Sequence, residues 1–389
     1  MDAVYLDHAA TTPVRPEVLE AMLPFLQSAW GTPPSPHRMC RGALAGLEQA
    51  KRETAVALGV EPNQVIFTSG GTEADNLAII GAALAAQAAG RPMHVVTTAT
   101  EHKAALAAGH PVRRLGGRET ILPVDRNGIV DLDALDAVLA ERPALVSVMW
   151  VNNEVGTVQP MAEICSRCRA ADVPLHSDAV QAFGKLPIDL DAVQCSMISI
   201  SGHKIGAPKG IGALIVRDRK IVEAILHGGG QQWGIRPGTE NVAGAVALGR
   251  AALLAARELD EHVARLRTMR DDLAARLEAA VPDLQVNGRG APRAPHVLSV
   301  SIPGADAGAL LMHLDLAGIC VSGGSACSTG AIEPSHVLTA MGVETPVAIG
   351  TVRISLGHET TQADIDRVAE AFPAVVTRVR ELGVALGRA

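Results

Sequence analysis

Between residues 64 and 216, short apolar runs rich in β-branched residues recur, and helical stretches separate most of them. The runs cover 64–69, 94–98, 145–151, 174–178, 197–201 and 211–216, while helical periodicity marks 74–89, 132–141 and 161–171. Strands that are apolar along their whole length must be covered on both faces. Their alternation with helices therefore predicts an α/β fold with a mainly parallel sheet between helices. Such sheets take ligands at the edge where the strand ends converge. Nearly every chemically conspicuous residue of this chain follows one of these strands.

The pattern changes after residue 241. A long Ala/Leu/Arg helical run covers 241–280, strands are expected at 298–302 and 318–321, and helices at 334–341 and 362–386, the last interrupted at Pro373. With 389 residues, 48% of them hydrophobic, the chain is long enough for two domains. We place the change near Ala255, giving a large domain over 14–255 and a smaller α+β domain from 1–13 and 256–389. Aromatic residues make up only 2%, so the core is built from Ala, Val, Leu and Ile. The net charge of −7, with no basic tail, argues against direct nucleic-acid binding. Residues 1–4 lack the charged start of a signal peptide and no apolar run reads as a membrane span, so a cytoplasmic protein is expected.

Six cysteines are too few for a disulfide framework in a chain of this length and are expected to be thiols. Cys165 and Cys168 form a C-x-x-C inside a helical stretch with no second pair, which reads as two ordinary helix cysteines and not as a metal site. Cys40, Cys195 and Cys320 read as small buried hydrophobes.

The run at 196–204, S-M-I-S-I-S-G-H-K, delivers Lys204 at the exit of a buried strand. Burial there lowers the pKa of the amine, as Schiff-base chemistry requires. In H-S-D-A-V-Q, Asp178 and Gln181 stand at the end of another strand. An aldehyde cofactor on Lys204 with its ring nitrogen paired to Asp178 accounts for both, which points to pyridoxal 5′-phosphate (PLP). T-S-G-G-T-E-A-D-N at 68–76 joins a strand to a helix through a Gly pair. The free N–H groups of that turn, with Gly71 and the hydroxyl of Thr72, form either an anion site or a plain capped turn. Ser201 and His203 are further donors to the same phosphate. His102, in T-E-H-K, is placed either to stack on a planar ring and move protons or simply to start a surface helix. Lys209 competes with Lys204 but lies between Pro208 and Gly210, in what reads as a solvated turn. Asn153 trails a strand and could bond the cofactor or the substrate, or just fill an Asn-rich turn. Arg353, inside an apolar run, needs an anionic partner, either a structural carboxylate or a substrate carboxylate. V-S-G-G-S-A-C-S-T-G at 321–330 surrounds Cys327 with small residues, which reads as a mobile loop exposing a reactive thiol.

Together these motifs resemble the cysteine desulfurases, the NifS/IscS-like branch of the class V aminotransferase superfamily and fold type I PLP enzymes. The similarity covers nearly the whole chain. It includes Y-L-D-H-A-A-T-T-P at 5–13, V-N-N-E-V-G at 151–156, H-G-G-G-Q at 227–231, R-P-G-T-E-N at 236–241 and G-S-A-C-S. The resemblance implies that Lys204 holds PLP and moves the substrate α-proton, and that Asp178 keeps the pyridine nitrogen protonated. Gln181 bonds the phenolic oxygen, His102 stacks and shuttles protons, and Gly71, Thr72, Ser201 and His203 bind phosphate. Thr239 reaches the phosphate of the other subunit, making a homodimer. Asn153 and Arg353 position L-cysteine. The thiolate of Cys327 takes its sulfur, leaving L-alanine and a persulfide that passes to an acceptor protein. The outlets of the family are iron–sulfur cluster assembly, tRNA thiolation and DNA phosphorothioation. The alternatives are a selenocysteine lyase, another class V aminotransferase-like PLP enzyme, or a scaffold without catalysis. Two positions depart from the family pattern: Thr32, where an Asn is typical, and Trp233, where many relatives are polar.

Overall fold

The computed structural model describes residues 3–33, 35–323 and 334–385. Its larger sheet has seven strands in the spatial order Val65–Thr68, Gly212–Val216, Met197–Ser201, Leu175–Asp178, Leu145–Ser147, His94–Thr98 and Arg118–Leu122. Gly212–Val216 alone runs against the others. Six of these strands are buried at every residue, as near-continuous apolar runs require. Side chains alternate between two cores. Phe67, Val96, Val146, Ile198 and Ile200 face one, and Ile66, Val95, Leu145, Met197 and Leu214 the other. The seventh strand, Arg118–Leu122, was not read from the sequence. It lies at the sheet edge with most of its residues partly or fully exposed, and edge strands tolerate polar composition.

A second, antiparallel sheet orders Ser322–Gly323, Thr351–Ser355, Val297–Ser301 and Gln285–Val286. Its core joins Leu298, Val300, Ile354 and Phe372 to Leu266 and Leu273, and also takes in Val4 and Leu6 from the start of the chain. The short strand Val4–Tyr5 pairs in parallel with Ile319–Cys320, and Asp7 bridges Ser355.

Two helices differ from expectation. The run at 241–280 is split into Val242–Arg257 and Leu259–Ala280 at Glu258, whose carboxylate takes both guanidinium arms of Arg15 at 2.7 and 2.9 Å. Glu258 at the break thus pairs with a residue 243 positions away, and no Gly or Pro marks the break in the sequence. Conversely, Gln362–Ala385 continues through Pro373. A proline costs a helix about 3 kcal/mol. Burial of Ile365, Val368, Phe372, Val376 and Val379, at roughly 1.5–3 kcal/mol each, outweighs that cost.

Candidate active site

The ends of five large-sheet strands and the edge of the second sheet line a cleft of about 1130 Å³, its open mouth included. It is lined by Gly71, Thr72, His102, Asn153, Asp178, Gln181, Ser201, His203, Lys204 and Arg353. These residues span most of the sequence, and the strand–turn junctions bring them to one edge. Lys204 follows the strand Met197–Ser201 and its Nζ donates to the carbonyls of Ala9 and Ala10, both at 2.6 Å. Burial lowers its pKa to about 8. Arg353 reinforces the shift, while Asp178 and Asp7 oppose it. Lys209 is exposed and does not line the cleft.

Asp178 ends the strand Leu175–Asp178 and accepts from the N–H of Val180 at 2.8 Å. Among the described residues, no Lys or Arg nitrogen pairs with it. Burial therefore raises its pKa, and His102 and Lys204 counter only in part. His102 starts the helix Lys103–Arg114, its Nδ1 accepting from the N–H of Ala104 at 3.1 Å. The neutral ring accordingly carries its proton on Nε2. Its ring stays open to the cleft mouth, yet surrounding protein still lowers its pKa, and Asp178 opposes that shift.

The helix Gly71–Ala88 presents an N-terminus with no side-chain cap, beside Ser201 and His203. A Cβ at Gly71 would stand 2.9 Å from Val180 Cγ2, too close unless the valine turns or the helix start shifts. Burial lowers the pKa of His203 to about 4, with Lys204 adding to the effect. Arg353 has a structural carboxylate: it donates to Asp7 Oδ1 at 2.7 Å and to the carbonyl of Asn153 at 2.9 Å, while its buried Nε has no partner among the described residues.

Thr239 is exposed and outside this cleft, and Cys327 lies outside the described residues. Ser322 and Gly323 before that segment, and His336 after it, do line the cleft. Thr32 is exposed and shares a 3.1 Å hydrogen bond with Ser35. Trp233 has Lys51 Nζ at 4.4 Å and Arg219 at 4.6 Å from its ring, a cation–π arrangement away from the cleft. Cys165, Cys168 and Cys195 are buried, and desolvation raises the thiols of Cys168 and Cys195.

Sequence reasoning passed over several buried polar residues around the site. Glu101 accepts from the N–H of Met149 and from Thr98 Oγ1, both at 2.8 Å, and burial pushes its pKa up to about 8. Asp75 lines the cleft one helical turn from Gly71, and burial together with Asp178 raises its pKa. Lys185 and His296 both reach Gln181. Asp75, Lys185 and Glu101 stand inside or beside the quoted motifs, but nothing in their spacing separates them from surface charges.

The family model for aminotransferase class V matches residues 4–368. The cysteine desulfurase IscS of Dictyoglomus turgidum is 41% identical over 97% of this chain and 96% of its own length. This chain belongs to the cysteine desulfurases of the class V aminotransferase family. Among solved structures, a NifS-like protein superposes with a TM-score of 0.88 at 33% identity, covering 97% of this chain and 100% of its own. SspA in complex with cysteine superposes at 0.78 and 33% identity, covering 90% and 98%.

Cysteine desulfurases use PLP, and the cleft suits it on three counts. The uncapped helix N-terminus with Gly71 drawn against Val180 is a cradle for a phosphate dianion. The buried carboxylate of Asp178 pairs with no Lys or Arg nitrogen among the described residues, and a protonated ring nitrogen would supply that partner. Lys204 has the lowered pKa an imine-forming amine needs.

Proposed function

We propose that this chain is a PLP-dependent cysteine desulfurase that moves the sulfur of L-cysteine onto Cys327 and then to an acceptor protein. The observation that carries the reading is the convergence of Lys204, Asp178, His102 and the Gly71 cradle in one cleft, which Ser322, Gly323 and His336 also line. PLP, bound through Lys204, supplies an electron sink for the substrate α-carbon. Lys204, with a pKa of about 8, exchanges a proton with that carbon near neutral pH. His102 holds its proton on Nε2 at the cleft mouth and passes it on. Asp178 keeps the ring nitrogen protonated, Gln181 donates to the phenolic oxygen, and Thr72, Ser201 and His203 hold the phosphate. Arg353, oriented by Asp7, receives the substrate carboxylate with Asn153 beside it. The thiolate of Cys327 forms an S–S bond as the C–S bond of cysteine breaks. The β-carbon takes a proton to give L-alanine, and Cys327 leaves as a persulfide.

The domains divide this work, with residues 14–255 holding the cofactor and 1–13 with 256–389 carrying Cys327. The exposed Thr239 reaches the phosphate of a second copy, so the working unit is a homodimer. No described helix is long and apolar enough to cross a membrane, and the site of action is the cytoplasm. The acceptor serves iron–sulfur assembly, tRNA thiolation or DNA phosphorothioation.

The test is Cys327→Ala. The variant is expected to keep cofactor colour and cysteine binding while losing sulfide release over many turnovers by at least 100-fold. Wild-type turnover would remove Cys327 from the mechanism. With ³⁵S-cysteine, label should appear on the peptide containing Cys327 and then on the acceptor.

A further inference from the structure

Gln181 is gripped from both cores. Lys185, on the segment after the strand Leu175–Asp178, donates from Nζ to Gln181 Oε1 at 3.0 Å. His296, which leads into the strand Val297–Ser301 of the second sheet, places Nε2 at 3.1 Å from the same oxygen. Gln181 Nε2 donates to the carbonyl of Ala9 at 2.8 Å. A carbonyl can only accept, so the contact with Ala9 fixes which end of the amide is which. Oε1 is saturated by two donors, and Nε2 keeps one hydrogen that Ala9 does not use. Both grips are deeply buried, Lys185 at 6% and His296 at 0% exposure.

Lys185 is a costly way to make one hydrogen bond. Among the described residues, no carboxylate pairs with it. The charged or titratable groups that feel its charge are Lys204, Arg353, His8, His203, His262 and His296. Burial and the neighbouring cations hold its pKa well below the ordinary value. An apolar residue would be cheaper there unless the donated hydrogen bond mattered.

We propose that Lys185, with His296, is a positioning residue that locks the Gln181 carboxamide with its NH2 toward the cofactor pocket, so that this position can donate and cannot accept. This rests on the cofactor reading above. A donor there draws charge off an ionised ring oxygen and so weakens that oxygen's hold on the proton of the neighbouring lysine–cofactor linkage. Without the lock the amide can turn, and the linkage holds its proton more tightly.

The test is the visible absorbance of the holoenzyme against pH. Lys185→Met keeps the length of the side chain and removes the donor. Its titration midpoint is expected to rise by roughly one pH unit, and His296→Phe to move it the same way. In a Gln181→Ala background, Lys185→Met should cause no further shift, because it acts through the amide. An unchanged midpoint in Lys185→Met overturns the proposal. So does a shift that persists in the Gln181→Ala background, which would mark a plain charge effect. Should Lys185→Met fail to fold, His296→Phe decides alone, and its unchanged midpoint overturns the proposal equally. A wild-type protein that binds no PLP would instead sink the cofactor reading.

Discussion

Lys204 and Lys209 are five positions apart, yet one meets two carbonyls inside the cleft and the other meets solvent. The difference is burial, which destabilises the charged amine and leaves a neutral fraction able to attack an aldehyde at neutral pH. Borohydride reduction of the holoenzyme should therefore fix the cofactor on the peptide containing Lys204, and Lys204→Ala should abolish that label. Label on Lys209 would reverse the assignment. Glu101 shows the opposite case. Its neighbour His102 could be picked out because a histidine after a strand has obvious uses, whereas Glu101 looked like any glutamate at a helix start. Only its complete burial and the donors from Met149 and Thr98 reveal a carboxyl that binds the His102 segment to the sheet.

At the scale of elements, the anion cradle depends on how closely one helix start approaches the turn after Asp178. Alanine at position 71 would bring Cβ to 2.9 Å from Val180 Cγ2, so either the valine turns or the helix start moves outward. Gly71→Ala is expected to weaken PLP binding about tenfold, near 1.4 kcal/mol, as read by equilibrium dialysis. Unchanged affinity would mean that the phosphate is held elsewhere. The fully buried strands were legible because apolar β-branched runs have few other uses. The edge strand Arg118–Leu122 was not, because its sequence resembles a surface segment. The unbroken helix through Pro373 was hidden for a related reason: distant packing overrode the local preference.

Across the whole molecule, buried titratable groups give stability two opposing slopes. Burial lowers His8 and His262 to about 4 and His176 to about 3, against 6.5 when unfolded. The unfolded state binds more protons below 6.5, so their contribution is lost as pH falls through these values. Glu101 is raised to about 8 from 4.5, so the folded state binds more protons in that window and its contribution is lost as pH rises through it. Of these four groups, only the carboxyl slope remains above pH 6.5 and only the histidine slope below 4.5. Between those values three rising histidine slopes outweigh one falling carboxyl slope, so the cofactor-free protein should be most resistant to urea near pH 6.5. Each group adds at most about 1.4 kcal/mol per pH unit. Glu101→Gln should flatten the limb from 6.5 to 8, and a limb that stays equally steep would place the titrating proton on another group.

The order of motifs along the chain was enough to read an α/β class, the imine-forming lysine, its aspartate and the family, because a covalent cofactor demands particular side chains at strand exits. Distance-dependent properties lay beyond that reading. Gln181 is oriented by Lys185 and His296, Arg353 by Asp7, and Lys204 is held by the carbonyls of Ala9 and Ala10, partners up to 346 residues apart. Hydrogen bonds and desolvation act over a few ångströms of space, and separation along a sequence carries no record of which groups the folded chain brings that near.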